Sequence, residues 1–287
     1  MATQSRTWVE PTAKDVEVRG FNMHYYEWSG DGPTVIFLHP SSSFGRVWDW
    51  VVQNLIGDFH IFALDQRCHG DSGRPPGPHS GEAYAEDLHA FITALGLKDF
   101  HLVGHSLGGR AAQIYAGTHP EYVRTITCSG GPHYSSFFYG SEEEANNPEE
   151  VRSTAERPTV YPDRSTLAAS IAEGRPSYTQ EMVDHIIKYN VIDNSDGTVS
   201  PKYSAKDVAE GLSHIPDKLN KYAEKVCCPV LFLRGKQSIP LSRPQSENVA
   251  AFYADCTIVD IDGQYFLQFE NPVEAAQEYR KFIQNHR

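Results

Sequence analysis

Gly104-His105-Ser106-Leu107-Gly108-Gly109 decides the reading of this chain. The apolar run Phe100–Val103 before it reads as a strand, and Leu107–Thr118 after it reads as a helix. A chain that turns from strand to helix within one residue leaves no room for side chains beside the turn. The glycines at 104 and 108 meet that demand, and Ser106 is pushed above the sheet edge. The Leu107 amide then sits at a helix N-terminus, where free N–H groups and the dipole favour a developing oxyanion. Strand, G-x-S-x-G and helix together predict a nucleophilic serine.

Outward from this turn, short apolar strands alternate with helical patterns. Val16 and Val18, a turn at Gly20, and Phe21–Trp28 read as a hairpin. Thr34–Leu38, Ile61–Leu64, Val123–Cys128, Pro229–Leu233 and Thr257–Ile261 read as further strands. Thr34–Leu38 shows no polar alternation, as expected of a strand covered on both faces. Leu88, Phe91, Ile92 and Leu95 give Tyr84–Leu95 helical spacing, and Asn271-Pro272 reads as the cap of a last helix. The alternation predicts an α/β fold built on a doubly wound, mostly parallel sheet. From about Pro132 to His214 the chain is polar, Pro-rich and helical in pattern. A core of 1–132 and 215–287 with a helical lid over 133–214 is therefore expected.

The chain has 287 residues, 25 Lys+Arg against 37 Asp+Glu, and a formal net charge of −12. Such a length buries about 75% of the unfolded surface and needs no disulfide or metal staple. The acidic balance argues against nucleic acid and anionic membranes as partners. No apolar run approaches the roughly 20 residues of a membrane helix, and the N-terminal stretch has no apolar segment of the signal-peptide kind. The five cysteines show no metal-like spacing and read as reduced thiols. The expectation is a cytoplasmic protein acting on a small molecule without metal or cofactor; a homodimer is compatible with the sequence.

Four segments resemble the α/β-hydrolase fold family: the elbow above; Leu38-His39-Pro40-Ser41, similar to the family's His-Gly segment; Asp65-Gln66-Arg67-Cys68-His69-Gly70-Asp71-Ser72, similar to D-x-R-G-H-G-x-S; and Phe269-Glu270-Asn271-Pro272. The resemblance implies the α/β-hydrolase fold, a helical lid, and an oxyanion hole from the amides of Ser41 and Leu107. It implies an acid after the strand Val230–Leu233, where Ser238 and Ile239 stand, and a histidine where Tyr265 stands, or Gln264 under a one-residue shift. After the sixth strand, where some members carry the acid, this chain has Cys128-Ser129-Gly130.

A serine hydroxyl is a poor nucleophile without a base. With the family's histidine and acid replaced, Ser106, Tyr265 and Ser238 form a candidate hydroxyl cluster, and His133, at a strand end, is the best substitute base among 13 histidines. His39, His105, Trp48, Phe138 and Phe266 are the candidate substrate-binding residues, and Cys68 a weak candidate thiol. The expected activity is hydrolysis of a small ester, lactone, amide or enol. The alternatives are a lyase, cyclase or isomerase using the same pocket, and a ligand-binding pseudoenzyme.

Overall fold

Ten strands are present in the described residues of the computed structural model, which are 8–131, 148–213, 220–238 and 242–286. They are β1 (Thr12–Val18), β2 (Phe21–Trp28), β3 (Thr34–Leu38), β4 (His60–Leu64), β5 (Phe100–His105), β6 (Val123–Ser129), β7 (Val191–Asp193), β8 (Val199–Pro201), β9 (Val230–Gly235) and β10 (Cys256–Ile261). Eight of them form one sheet in the order β1-β2-β4-β3-β5-β6-β9-β10. The β1–β2 and β2–β4 pairs are antiparallel, and all the others in this sheet are parallel. β7 and β8 form a separate hairpin.

The helices are α1 (Asp49–Gln53), α2 (Gly81–Ala94), α3 (Leu107–Thr118), α4 (Pro148–Ala155), α5 (Arg164–Gly174), α6 (Gln180–Tyr189), α7 (Ala205–Ser213), α8 (Asn220–Ala223), α9 (Arg243–Ala250), α10 (Leu267–Glu270) and α11 (Pro272–Asn285). Both faces of the sheet are covered. Ile36 and Leu38 pack with α2 and α3, while Val35 and Phe37 pack with α1 and α11. This is why Thr34–Leu38 lacks polar alternation. The chain places β4 on one side of β3 and β5 on the other. At such a reversal the loops after neighbouring strands diverge and leave a crevice at the carboxyl ends. None of these helices is long and apolar enough to cross a membrane.

Two expectations change in detail. The helix expected at Tyr84 begins at Gly81, because the Ser80 hydroxyl caps it by accepting from the Ala83 N–H. Asn271 precedes α11 as expected, but its side chain makes no cap. Its amide donates instead to the Asp262 carbonyl and the Glu274 carboxylate. Between β6 and β9 lie α4 to α8 and the β7–β8 hairpin, a helical stretch where one was expected. It is tied to the segments after β3 and β4: His185 of α6 donates to the Arg46 carbonyl at 3.0 Å, and Lys202 pairs with Asp71 at 2.7 Å.

The loop after β4 is anchored by a buried ion pair. Arg67 makes two hydrogen bonds to Asp87 of α2, at 2.5 and 2.8 Å, and both side chains are buried. Removing one partner of a buried pair strands the other charge. Asp87→Asn should cost about 3–5 kcal/mol in urea unfolding without a change in m; a cost below about 1 kcal/mol would mean that the pair is solvent-screened.

Candidate active site

Ser106 alone separates β5 from α3. Its backbone sits at φ 50, ψ −113, a left-handed setting that costs a non-glycine residue free energy and persists only when its surroundings impose it. The imposing contacts are close. A Cβ at Gly108 would lie 2.2 Å from the Leu38 carbonyl oxygen, and one at Gly104 would lie 2.4 Å from that of Gly108. The Gly108 N–H donates to the His39 carbonyl at 3.2 Å. The elbow is thus pressed against the end of β3, with Ser106 beside the segment that begins at His39. Among the described residues, the Leu107 and Ser41 N–H groups have no hydrogen-bond acceptor.

Two buried histidines fix that segment. His39 donates from Nδ1 to the Pro40 carbonyl at 2.7 Å and accepts at Nε2 from the Gln66 N–H at 2.9 Å. His69 donates from Nδ1 to the Arg67 carbonyl and accepts at Nε2 from the Ser42 N–H at 3.1 Å. Each ring therefore accepts at one nitrogen, which requires the neutral form. Burial, with the neighbouring His69, holds His39 well below the ordinary imidazole range. Burial lowers His69 to about 4. Asp65, also fully buried, accepts from the Gly45 and Asp71 N–H groups, and burial raises its carboxyl to about 6. The loops after β3 and β4 are stitched together by these three side chains.

Tyr265 and Ser238 lie at the same edge. The loop carrying Tyr265 crosses so near the end of β9 that a Cβ at Gly235 would lie 1.8 Å from the Gln264 carbonyl oxygen. The Tyr265 ring packs edge-on against His105 at 4.5 Å, directly before Ser106 in sequence. Ser238 turns back on β9 through its N–H to the Gly235 carbonyl; its hydroxyl is buried and, among the described residues, has no partner. At the end of β6, Ser129 accepts from the Tyr279 hydroxyl at 2.7 Å. His133 and Phe138 lie outside the described residues.

A cavity of about 410 Å³ opens beside this edge. Ser41, Ser42, Phe44 and Phe266 line it from the sheet side, and Arg157, Tyr161, Arg175 and Tyr178 from the helical stretch. The Arg175 guanidinium stands over the Phe266 ring at 5.1 Å, and burial pushes the Tyr178 phenol up to about 12, so it stays neutral. Phe266 is where the sequence placed it. Three other expected substrate contacts are elsewhere. Trp48 is fully buried against Phe37 and does not line the cavity, because the 3₁₀ turn Gly45–Trp48 before α1 packs into the core. His39 has both ring nitrogens committed to backbone. His105 is fully buried, with Nδ1 at 2.8 Å from the Gln268 amide and the ring against Phe266. Cys68 is fully buried and does not line the cavity, and burial with nearby Asp207 pushes its thiol up to about 12. Arg157, Arg175 and Tyr161 belong to no motif, and only the folded helices reveal them.

The sequence profile of the alpha/beta hydrolase fold matches residues 33–272. The 2-(acetamidomethylene)succinate hydrolase of Mesorhizobium japonicum is 27% identical over 255 residues, covering 88% of this chain and 89% of that protein. The N-formylmaleamate deformylase of Pseudomonas putida is 36% identical over 99 residues, or 34% of this chain and 37% of that protein. A crystal structure of E-2-(acetamidomethylene)succinate hydrolase superposes with a TM-score of 0.84 at 24% identity, covering 96% of this chain and 99% of that one.

The lowered His69 gives a pH signature. An unfolded imidazole titrates near 6.5, the folded one near 4, so between these values only the unfolded chain binds the proton. The stability it confers is complete above about 6.5 and lost as pH falls toward 4. Gln at this position keeps an acceptor but does not titrate. The difference in unfolding free energy between parent and His69→Gln should therefore shrink by about 2–3 kcal/mol from neutral pH to near pH 4.5. A constant difference would show that His69 is not held neutral.

Proposed function

The chain belongs to the α/β-hydrolase fold family, and on that premise we propose that it hydrolyses a small, carboxylate-bearing carbonyl compound with Ser106 as nucleophile. The Ser106 backbone at φ 50, ψ −113 carries this reading. Left-handed strain at a non-glycine residue is retained where it serves to aim a side chain, here at the carboxyl edge of the sheet beside two N–H groups without acceptors. The Ser106 oxygen attacks the substrate carbonyl, and the oxyanion accepts from the Leu107 and Ser41 N–H groups. Collapse expels the leaving group, and water then cleaves the acyl-enzyme. The proton of Ser106 needs an acceptor other than Tyr265, whose phenol ordinarily titrates near 10; His133 is the residue to test first. Residues 133–214 serve as the lid, and the cavity beneath it receives the substrate.

Two features support the anionic substrate. Arg157 and Arg175 both reach the cavity wall, and guanidinium groups recognise carboxylates through paired N–H donors. The relative matched over most of its length is named for a succinate derivative.

The phenol at the family's histidine position favours a second reading, in which Ser106 and Tyr265 hydrogen-bond a carbonyl or enolate without an acyl-enzyme. A fluorophosphonate probe separates the two. Under hydrolysis, Ser106 is labelled, Ser106→Ala is not, and turnover in Ser106→Ala falls by about 10³-fold or more. An enzyme that turns over substrate while Ser106 resists labelling under forcing conditions would overturn the acyl-enzyme. For the substrate charge, Arg175→Gln should raise KM for an anionic ester about tenfold, with kcat and the KM of a neutral analogue little changed. Equal KM shifts for both esters would remove the carboxylate from the proposal.

A further inference from the structure

The loop after β4 carries a second cluster that ester hydrolysis does not use. Cys68, His79 and Asp207 each place one ligand atom within 4.8 Å of the other two. Cys68 Sγ is 4.0 Å from His79 Nδ1, and Asp207 Oδ1 is 3.7 Å from His79 Nε2. Glu210, one turn further along α7, stands 4.0 Å from the same nitrogen. Cys68 is fully buried and His79 is 3% exposed. A buried imidazole ordinarily has a nitrogen or oxygen partner at hydrogen-bond distance. Among the described residues His79 has none: its nearest carboxylates stop short of that distance, although three acidic or thiol groups surround it.

We propose that Cys68, one ring nitrogen of His79 and Asp207 form a binding site for a zinc-class divalent metal, with Glu210 or a water as the fourth ligand. Bonds of about 2.0–2.3 Å to sulfur, nitrogen and oxygen place tetrahedral ligands about 3.4–3.6 Å apart. The three ligand atoms lie within 4.8 Å of one another, wider than that by up to about 1.3 Å, and Cys68 faces Nδ1 while Asp207 faces Nε2, so binding through one ring nitrogen requires the His79 ring and α7 to close on the metal. Thiolate with imidazole selects zinc and its neighbours over magnesium or calcium. The thiolate and the Asp207 carboxylate balance the two positive charges. Of the nearby cations, Arg67 is already paired with Asp87, and Arg74 donates to the Cys68 carbonyl at 3.3 Å. Glu210 is seated against the same loop: a Cβ at Gly77 would lie 2.3 Å from its carboxylate.

The metal ties α7, in the helical stretch between β6 and β9, to the loop whose next residue, His69, holds the Ser42 N–H. It braces the wall of the cavity and touches no reacting atom.

Cobalt(II) titration of metal-free protein tests the site, because a thiolate ligand gives cobalt an ultraviolet charge-transfer band. One equivalent should bind with that band. Cys68→Ser should lose it, His79→Gln should weaken binding tenfold or more, and Cys227→Ser, which removes the exposed thiol, should leave it intact. Zinc at a hundredfold excess over Kd should raise Tm by about 5 °C. Absence of the band, or its persistence in Cys68→Ser, overturns the proposal. If Cys68→Ser fails to fold, X-ray absorption of the zinc-loaded parent protein decides: one sulfur in the coordination shell supports the site, and nitrogen and oxygen alone overturn it.

Discussion

The contact on which the site depends is a backbone one, the approach of Gly108 to the carbonyl of Leu38. It docks the first turn of α3 on the end of β3, and the Gly108 N–H to His39 carbonyl bond seals it. With α3 held there and β5 held in the sheet, a single residue must span the turn, and Ser106 takes the left-handed conformation because nothing else closes the gap. The same contact sets the N-terminus of α3 beside the segment after β3. Two acceptor-free N–H groups from separate elements end up at one edge as a consequence of packing, before any chemistry is invoked.

Maintaining that edge falls to polar groups kept uncharged. His39 and His69 are each locked in one tautomer by a carbonyl at Nδ1 and an N–H at Nε2. Protonation of either would set a ring N–H against a backbone N–H. The lowered imidazoles therefore describe scaffolding, which is a different use of histidine from the one sought in the sequence. A perturbed imidazole near a cleft invites a catalytic reading; here the hydrogen-bond partners assign it to the backbone.

Much of this was legible in the sequence. Gly104, Ser106 and Gly108 announce a strand–turn–helix that only one geometry satisfies, and Thr34–Leu38 announces a strand buried on both faces. What escaped was non-local. Trp48 reads as a pocket aromatic because it falls near the predicted sheet edge, but the 3₁₀ turn Gly45–Trp48 packs it into the core. Arg175 and Arg157 carry no pattern, since a cavity wall built from loosely spaced helices leaves no periodicity to find. The cysteines show no metal-like spacing because Cys68 meets His79 and Asp207 only after α7 folds back on the loop. The tyrosine and serine at the expected base and acid positions are plain in the sequence, and both lie close to the end of β9.

The bond from Tyr279 to Ser129 bears on how this lineage could change. The end of β6 is where some members of the family carry the acid, so an exchange of Ser129 for aspartate would supply that group while Tyr265 still holds the histidine position. That route is closed by the neighbour: both Ser129 and Tyr279 are fully buried, and a carboxylate arriving there would be captured by the phenol and shut away from water. An acid at this place must first displace the tyrosine of the last helix, which is also a large side chain of the core. The end of β6 is thus held by the packing of the last helix.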